Sequence, residues 1–200
     1  MVDTKDISSK KKLKQIKLFE SAFNLFLNKG FNETAIDDIV KDAGVAKGTF
    51  YLYFKDKYDI LDRLILSKSC MVIREALEKT KEKQEDDFIE NMINFIDYII
   101  EYFKNNKRLL KLIYKNLSWG LFRKALARPE EYEEMNNLKN IIIENFKNKG
   151  FTEDEIERNI FMIMELVSSV TYSCLILNEP EDINNMKPYL FNVVRKILTK

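Results

Sequence analysis

Apolar residues recur at three- and four-residue steps along most of this chain, the spacing of one helix face, and no convincing two-residue alternation marks a strand. From Lys10 to Lys29 the series Leu13, Ile16, Phe19, Phe23, Phe26 and Leu27 predicts a first helix, with Gly30 as its stop. Thr34, followed three residues later by Asp37, reads as the cap of a second helix whose inner face is Ala35, Ile36, Ile39, Val40 and Ala43. That helix ends at Gly44, and a third begins almost at once at Val45 or Ala46. Phe50 and Phe54 would turn inward there, leaving Lys47, Thr49, Tyr51 and Tyr53 more outward. Two short helices joined by a tight glycine turn form a helix-turn-helix unit. Asp56 is placed to cap a long helix over 57–79, carrying Tyr58, Leu61, Leu64, Ile65, Val72 and Leu77, and the charged stretch Glu78 to Asp87 is its frayed end or a loop. Further helices are expected near 87–104, 107–117, 119–127, 131–148, 153–177 and 187–198, separated by Asn105-Asn106, Pro129, Gly150 and Pro180. Thr152 with Glu155 makes a capping box for the most apolar of them.

Composition agrees with an all-α fold. Only 5 Gly and 3 Pro interrupt 200 residues, and hydrophobic (46%) and charged (32%) shares are those of an ordinary globular protein. The pattern divides into an N-terminal three-helix domain, 1–56, and a larger helical domain, 57–200, with the 57–79 helix connecting them. A net charge of +1 argues against a surface coated everywhere in cations. Residues 1–60 hold 11 Lys against 9 acids, too slight an excess to identify a partner. Cys70 and Cys174 lie far apart with no metal-binding spacing, so both are expected as buried small apolar residues in a reducing compartment. No apolar segment follows the charged N-terminus in the manner of a secretory signal, which favours the cytoplasm. Ile160 to Leu177 approaches the length of a membrane span but contains Glu165, Ser168, Ser169, Thr171 and Ser173. A helix buried in a core or subunit interface is the expectation, with no membrane.

The run with chemical content is Thr34 to Lys57, TAIDDIVKDAGVAKGTFYLYFKDK. Reading DNA with such a unit requires a helix narrow and polar enough to enter a major groove about 12 Å wide, with flanking groups that hold phosphates. Lys47 can reach phosphate or a guanine edge, and Thr49 a base or a thymine methyl. Gly48 has no side chain to hold the backbone away, which would account for a residue that costs a helix about 1 kcal/mol. Tyr51 and Tyr53 offer phenols at phosphate distance. Thr34 and Lys57 stand at helix N-termini, where backbone donors attract phosphate. A purely structural three-helix unit would show the same spacing. An enzyme is the main rival class, but His 0 removes imidazole from acid–base, metal and nucleophile-activating roles. Glu130-Glu131 and Glu133-Glu134 resemble paired carboxylates, yet they suit the solvated first turn of a helix after Pro129. A helical adaptor without DNA binding would need no exposed Lys47-Gly48-Thr49 patch.

The segment AGVAKGTFYLYFKDK, with Gly30-Phe31 and Thr34 before it, closely resembles the recognition segment of the TetR family of transcription regulators, over residues ~12–65. The resemblance implies a homodimer with an N-terminal DNA-binding domain and a helical domain that binds a small molecule and dimerises. It also implies that Thr34, Lys47, Gly48, Thr49, Tyr51, Tyr53 and Lys57 contact DNA, mostly at phosphates. Tyr53 stands where many members have His, which bears on base preference. The run Lys10-Lys11-Lys12 with Lys14 is either a basic arm reaching a neighbouring groove or a solvated terminus. In the second domain, helices 131–148 and 153–177 are expected to meet their copies, because Ile160, Ile163, Leu166, Val167, Val170 and Leu177 exceed one helix face. Twofold symmetry then predicts a near-palindromic operator. An effector site is expected among Tyr98, Tyr102, Phe103, Tyr114, Trp119, Phe122, Met162 and Tyr172, with Trp119 foremost. Asp97, Glu101 and Glu165 would face either a cationic ligand or a partner lysine. No metal or cofactor is expected. Ligand binding is expected to release the protein from DNA by a population shift, with activation rather than repression left open.

Overall fold

Helix signals repeat along the chain, and the computed structural model follows them: every regular element among the described residues is helical. The structure describes the backbone of residues 4–81 and 87–199, and the side chains of 11–81 and 87–199. Residues 82–86 of the charged stretch and the side chain of Lys10 lie outside that range. The helices are α1 (Thr4–Asn28), α2 (Ile36–Asp42), α3 (Lys47–Tyr51), α4 (Lys57–Lys81), α5 (Phe88–Asn105), α6 (Lys107–Asn116), α7 (Trp119–Leu126), α8 (Glu133–Asn148), α9 (Glu153–Tyr172) and α10 (Ile183–Leu198). A π-helical turn, Ser173–Leu177, extends α9 and ends at Asn178 in a left-handed conformation. The chain forms two compact units, Met1–Ile65 and Leu66–Lys200, so the boundary falls inside α4 rather than before it.

In the first unit the core is aromatic. Phe50 and Phe54 are 0% and 1% exposed, Phe54 packs on Phe19 with ring centroids 5.4 Å apart, and Phe50 packs on Phe54 at 5.5 Å. Each buried phenyl contributes about 1.5–3 kcal/mol. The inner stripe of α1 is Leu18, Ala22 and Phe26 at four-residue steps; of the expected series Phe26 is fully buried, Phe19, Phe23 and Leu27 are half-buried, and Leu13 and Ile16 are 53% and 43% exposed. The apolar pattern there runs on past the segment that α2–α4 cover. Ile39 and Val40 of α2 and Ile60, Leu61 and Leu64 of α4 close the core. The helix-turn-helix corner is set at Gly44, whose φ of +66° is left-handed. There Gly44 N–H donates to Lys41 O at 3.3 Å and Val45 N–H to Val40 O at 3.0 Å, the two bonds that end α2.

In the second unit α10 packs on α9 and α5, and α6 on α9. Cys70 and Cys174 are buried and free, as their sequence context suggests. Thr152 and Glu155 form the expected box, with Thr152 N–H donating to Glu155 Oε2 at 2.7 Å and Glu155 N–H to Thr152 Oγ1 at 3.3 Å. Helix α10 starts at Ile183, before the expected 187, because Asp182 caps it: Asn184 N–H donates to its Oδ1 at 2.8 Å. With its π extension α9 is long and apolar enough to cross a membrane by length and composition, yet within the protomer only Ile156 and Thr171 of Glu153–Tyr172 are fully buried.

Candidate nucleic-acid interface and ligand cavity

Phe50 is driven into the core by its own hydrophobicity, and that anchoring decides which side of α3 faces water. Lys47, Gly48 and Tyr51 are exposed, Tyr51 by 53%, and Thr49 is half-buried. Lys47 and Tyr51, four residues apart, share one face. A Cβ placed on Gly48 would meet no atom within 4 Å, so packing within the chain does not require glycine here. The Lys47 ammonium is 2.8 Å from Asp37 Oδ1, an exposed pair whose hydrogen bond holds the lysine above its ordinary range. Leu52, the neighbour of Tyr51, is 74% exposed. It lies inside the same chemical run, and as an apolar residue it carries no sequence signal that marks it as outward.

The other expected contact residues are engaged within the unit. Thr34 is 1% exposed, its hydroxyl donates to Gly30 O at 2.7 Å, and its N–H donates to Phe31 O at 3.3 Å. It therefore does not cap α2. Ala35 stands at that position and Asp38, not Asp37, reaches back to the Ala35 N–H at 3.0 Å. Asp38 also takes the Lys29 ammonium at 2.6 Å, and that hydrogen bond holds its carboxyl below the usual range. Lys57 Nζ donates to the carbonyls of Phe31 and Thr34, both at 2.9 Å, and lies 4.3 Å from the Phe31 ring centroid. It ties the α1–α2 loop to the start of α4. The first free donors of α4 are occupied as well, since Tyr58 and Asp59 N–H donate to Asp56 Oδ1 at 2.8 and 2.9 Å. Tyr53 donates its phenol to Lys11 O at 2.9 Å. The structure thus gathers Lys47, Gly48, Thr49 and Tyr51 on one short helix, and sets Thr34, Tyr53 and Lys57 as struts behind it.

The second unit contains an apolar cavity of about 220 Å³, walled by α4–α9 and by Leu198 of α10. Phe103, Tyr114 and Phe122 line it, whereas Tyr98, Tyr102, Trp119, Met162 and Tyr172 do not. Tyr98 donates to Glu75 Oε1 at 2.6 Å, a bond that pushes its phenol up to about 12 and keeps it protonated. Tyr102 packs edge-on against Phe103 at 5.7 Å, Tyr172 stacks on Tyr114 at 4.1 Å, and Met162 is 45% exposed. Trp119 stacks on Phe122 at 5.3 Å and lines a separate surface cleft. Two hydroxyls in the cavity wall, Ser69 Oγ and Thr171 Oγ1, are buried without a hydrogen-bond partner. Each such group costs about 1–3 kcal/mol. Asp97 and Glu101 both pair with Lys187, the first at 2.6 Å, so a lysine of the chain itself is their counter-ion.

Residues 18–64 match the family model of the bacterial regulatory proteins of the tetR family. Over 73 residues the chain is 38% identical to a fatty acid metabolism regulator protein of Bacillus subtilis (strain 168), a match covering 36% of this chain and 38% of that protein, well under two thirds of its length. The fold of the chain is similar to that of Bacillus subtilis FadR, a transcriptional regulator solved in complex with stearoyl-CoA (TM-score 0.63, 21% identity, 90% of this chain and 97% of that one). It is similar too to Thermus thermophilus FadR, a TetR-family transcriptional repressor solved with lauroyl-CoA (TM-score 0.61, 18% identity, 92% and 94% of the two chains). The match to the tetR family of bacterial regulatory proteins thus covers residues 18–64, the helix-turn-helix part of the chain.

Proposed function

We propose that this protein is a homodimeric transcriptional repressor that binds double-stranded DNA through α3 and leaves a near-palindromic operator when a small molecule occupies its second unit. One observation carries the DNA-binding part: an exposed corner of Lys47, Gly48 and Tyr51 on a helix anchored from behind by Phe50, with open space over Gly48. In this reading Lys47 and Tyr51 hold phosphates, Thr49 reaches a base edge, and the bare Gly48 lets the backbone come close. Tyr53 and Lys57 reach phosphate only by leaving their present partners, and Thr34 supports the loop from inside. The cytoplasm is the expected location because DNA is the partner.

Support for a second copy comes from α8 and α9. Ile141, Phe161, Met162 and Leu177 are each between 40% and 51% exposed on elements whose apolar residues exceed what one protomer covers. Support for an effector comes from the apolar cavity and from the acyl-CoA bound by the FadR relatives. Release follows if the occupied dimer favours a setting of α4 in which both copies of α3 no longer fit successive grooves. Coupling of about 1–3 kcal/mol would lower operator affinity about 5–150-fold. A gel shift of the full chain on genomic fragments at two salt concentrations tests the core of this. Selective retention of a few fragments that weakens steeply with salt is expected. No retained fragment at low ionic strength would overturn it.

A further inference from the structure

Apart from Lys139 and a few hydroxyls the wall of the second unit's cavity is apolar, and the hydroxyls of its serines and threonine differ in their bonding. Ser168 donates to the Glu165 carbonyl at 3.2 Å, the local bond a helical serine ordinarily makes, and Thr80 elsewhere on α4 donates to Ala76 O at 2.7 Å. Ser69 on α4 and Thr171 on α9 make no such bond, although they are 6% and 2% exposed. Alanine or valine at these places would fill the same space without the desolvation cost. Two unmet hydroxyls on different helices around one apolar space call for a polar atom from a guest.

Size and charge narrow the guest. An apolar cavity of about 150 Å³ accommodates benzene, so in proportion about 220 Å³ suits about nine heavy atoms. The single charged residue in the lining, among the described residues, is Lys139, which is half-buried and also borders the surface cleft beside Trp119. A carboxylate held at Ser69 or Thr171 would lose its hydration, and the one cation of the wall, Lys139, is only half-buried and is solvated without it. We infer that the cavity binds an uncharged, mainly aliphatic molecule of about nine heavy atoms carrying one hydroxyl or carbonyl, a medium-chain alcohol or ketone, with Ser69 and Thr171 as its hydrogen-bonding partners. This rests on the effector reading and specifies its ligand class.

Titration calorimetry of the full-length protein with 1-octanol and, separately, with octanoate tests it. The expected result is one 1-octanol per protomer and binding of octanoate at least about tenfold weaker. Ser69→Ala and Thr171→Val should each weaken 1-octanol about five- to tenfold while leaving the melting temperature equal or higher, since each removes an unsatisfied hydroxyl. Absence of heat with 1-octanol, octanoate binding as tight as the alcohol, or unchanged affinity in both variants would each overturn the inference. A parallel gel shift separates it from the function proposed above. Protein that binds 1-octanol but keeps its DNA upholds the ligand class and defeats release; protein that binds DNA but not 1-octanol defeats the ligand class alone.

Discussion

Lys57 shows how one side chain can be read two ways until its partners are known. By position it is a cation at a helix start, suited to phosphate. In the structure it fills the carbonyls of Phe31 and Thr34, 26 and 23 residues earlier, and caps the Phe31 ring. Removing it strands two part-buried acceptors and a cation–π contact, so Lys57→Ala should lower the stability of the first unit by about 2 kcal/mol. A denaturant titration followed by a probe on that unit would read this, and an unchanged midpoint would show the clamp to be idle. Asp37 makes the opposite case. Its exposed pairing with Lys47 neutralises the cation best placed for DNA, at 2.8 Å. Asp37→Asn should therefore tighten binding to all sequences by up to about fivefold at low salt, with the gain fading as salt rises. Binding isotherms at two ionic strengths would test it, and a loss of affinity would mean that Asp37 holds Lys47 in its working position. Thr49→Ala, by contrast, should change the ranking among operator sequences more than overall affinity.

For the helices, the clearest test is Gly48→Ala. The position is helical, no atom lies within 4 Å of where the added methyl would stand, and alanine favours a helix over glycine by up to about 1 kcal/mol. The variant should melt at the same or a higher temperature and yet bind DNA less well; unimpaired DNA binding would remove the close-approach role of Gly48. In the second unit α5 and α10 are tied by Glu90 and Arg195, with Arg195 Nε 2.7 Å from Glu90 Oε1. That hydrogen bond holds the Glu90 carboxyl below its ordinary 4.5. Glu101 is lowered likewise by its bond to Lys187 of α10. Depressed carboxyls stabilise the fold above their ordinary range, and the benefit is lost as pH falls through it. Melting temperature should drop on acidification below pH 4.5, and less steeply in a Glu90→Gln, Glu101→Gln double variant. The elements are legible in the sequence because their signals are local. Periodicity places the helices to within a few residues, and Asp56 and Thr152 cap where their spacing says. It fails where a side chain's partner lies far along the chain: Thr34 turns to Gly30, Tyr53 to Lys11 and Lys57 to the α1–α2 loop, and no spacing rule sees those bonds. Of the effector-site candidates only Phe103, Tyr114 and Phe122 gather at the cavity, for a related reason, since helical spacing gives a face and not the neighbour it meets.

At the scale of the molecule the outstanding fact is an apolar helix with too little to cover it. Glu153–Leu177 has the composition of a core element, but Phe161, Met162 and Leu177 of that stretch are 40%, 45% and 51% exposed, and Ile141 of α8 is 43% exposed. A surface of that kind is stable in water when a second copy covers it, and an interface between like elements is naturally twofold. Two copies of α3 held by one such interface would have to match half-sites about 34–36 Å apart, so DNA affinity and dimerisation become a single property. An Ile141→Glu, Phe161→Glu double variant places charges on solvated positions of the protomer and should leave its helicity unchanged. Light scattering should then show the mass of one protomer instead of two. Operator binding should fall by at least about a hundredfold, because each α3 must bind alone and loses the effective concentration its tethered twin supplied. A variant that stays dimeric would move the interface elsewhere; a monomer that binds the operator undiminished would show that α3 acts singly and would remove the reason for a palindrome.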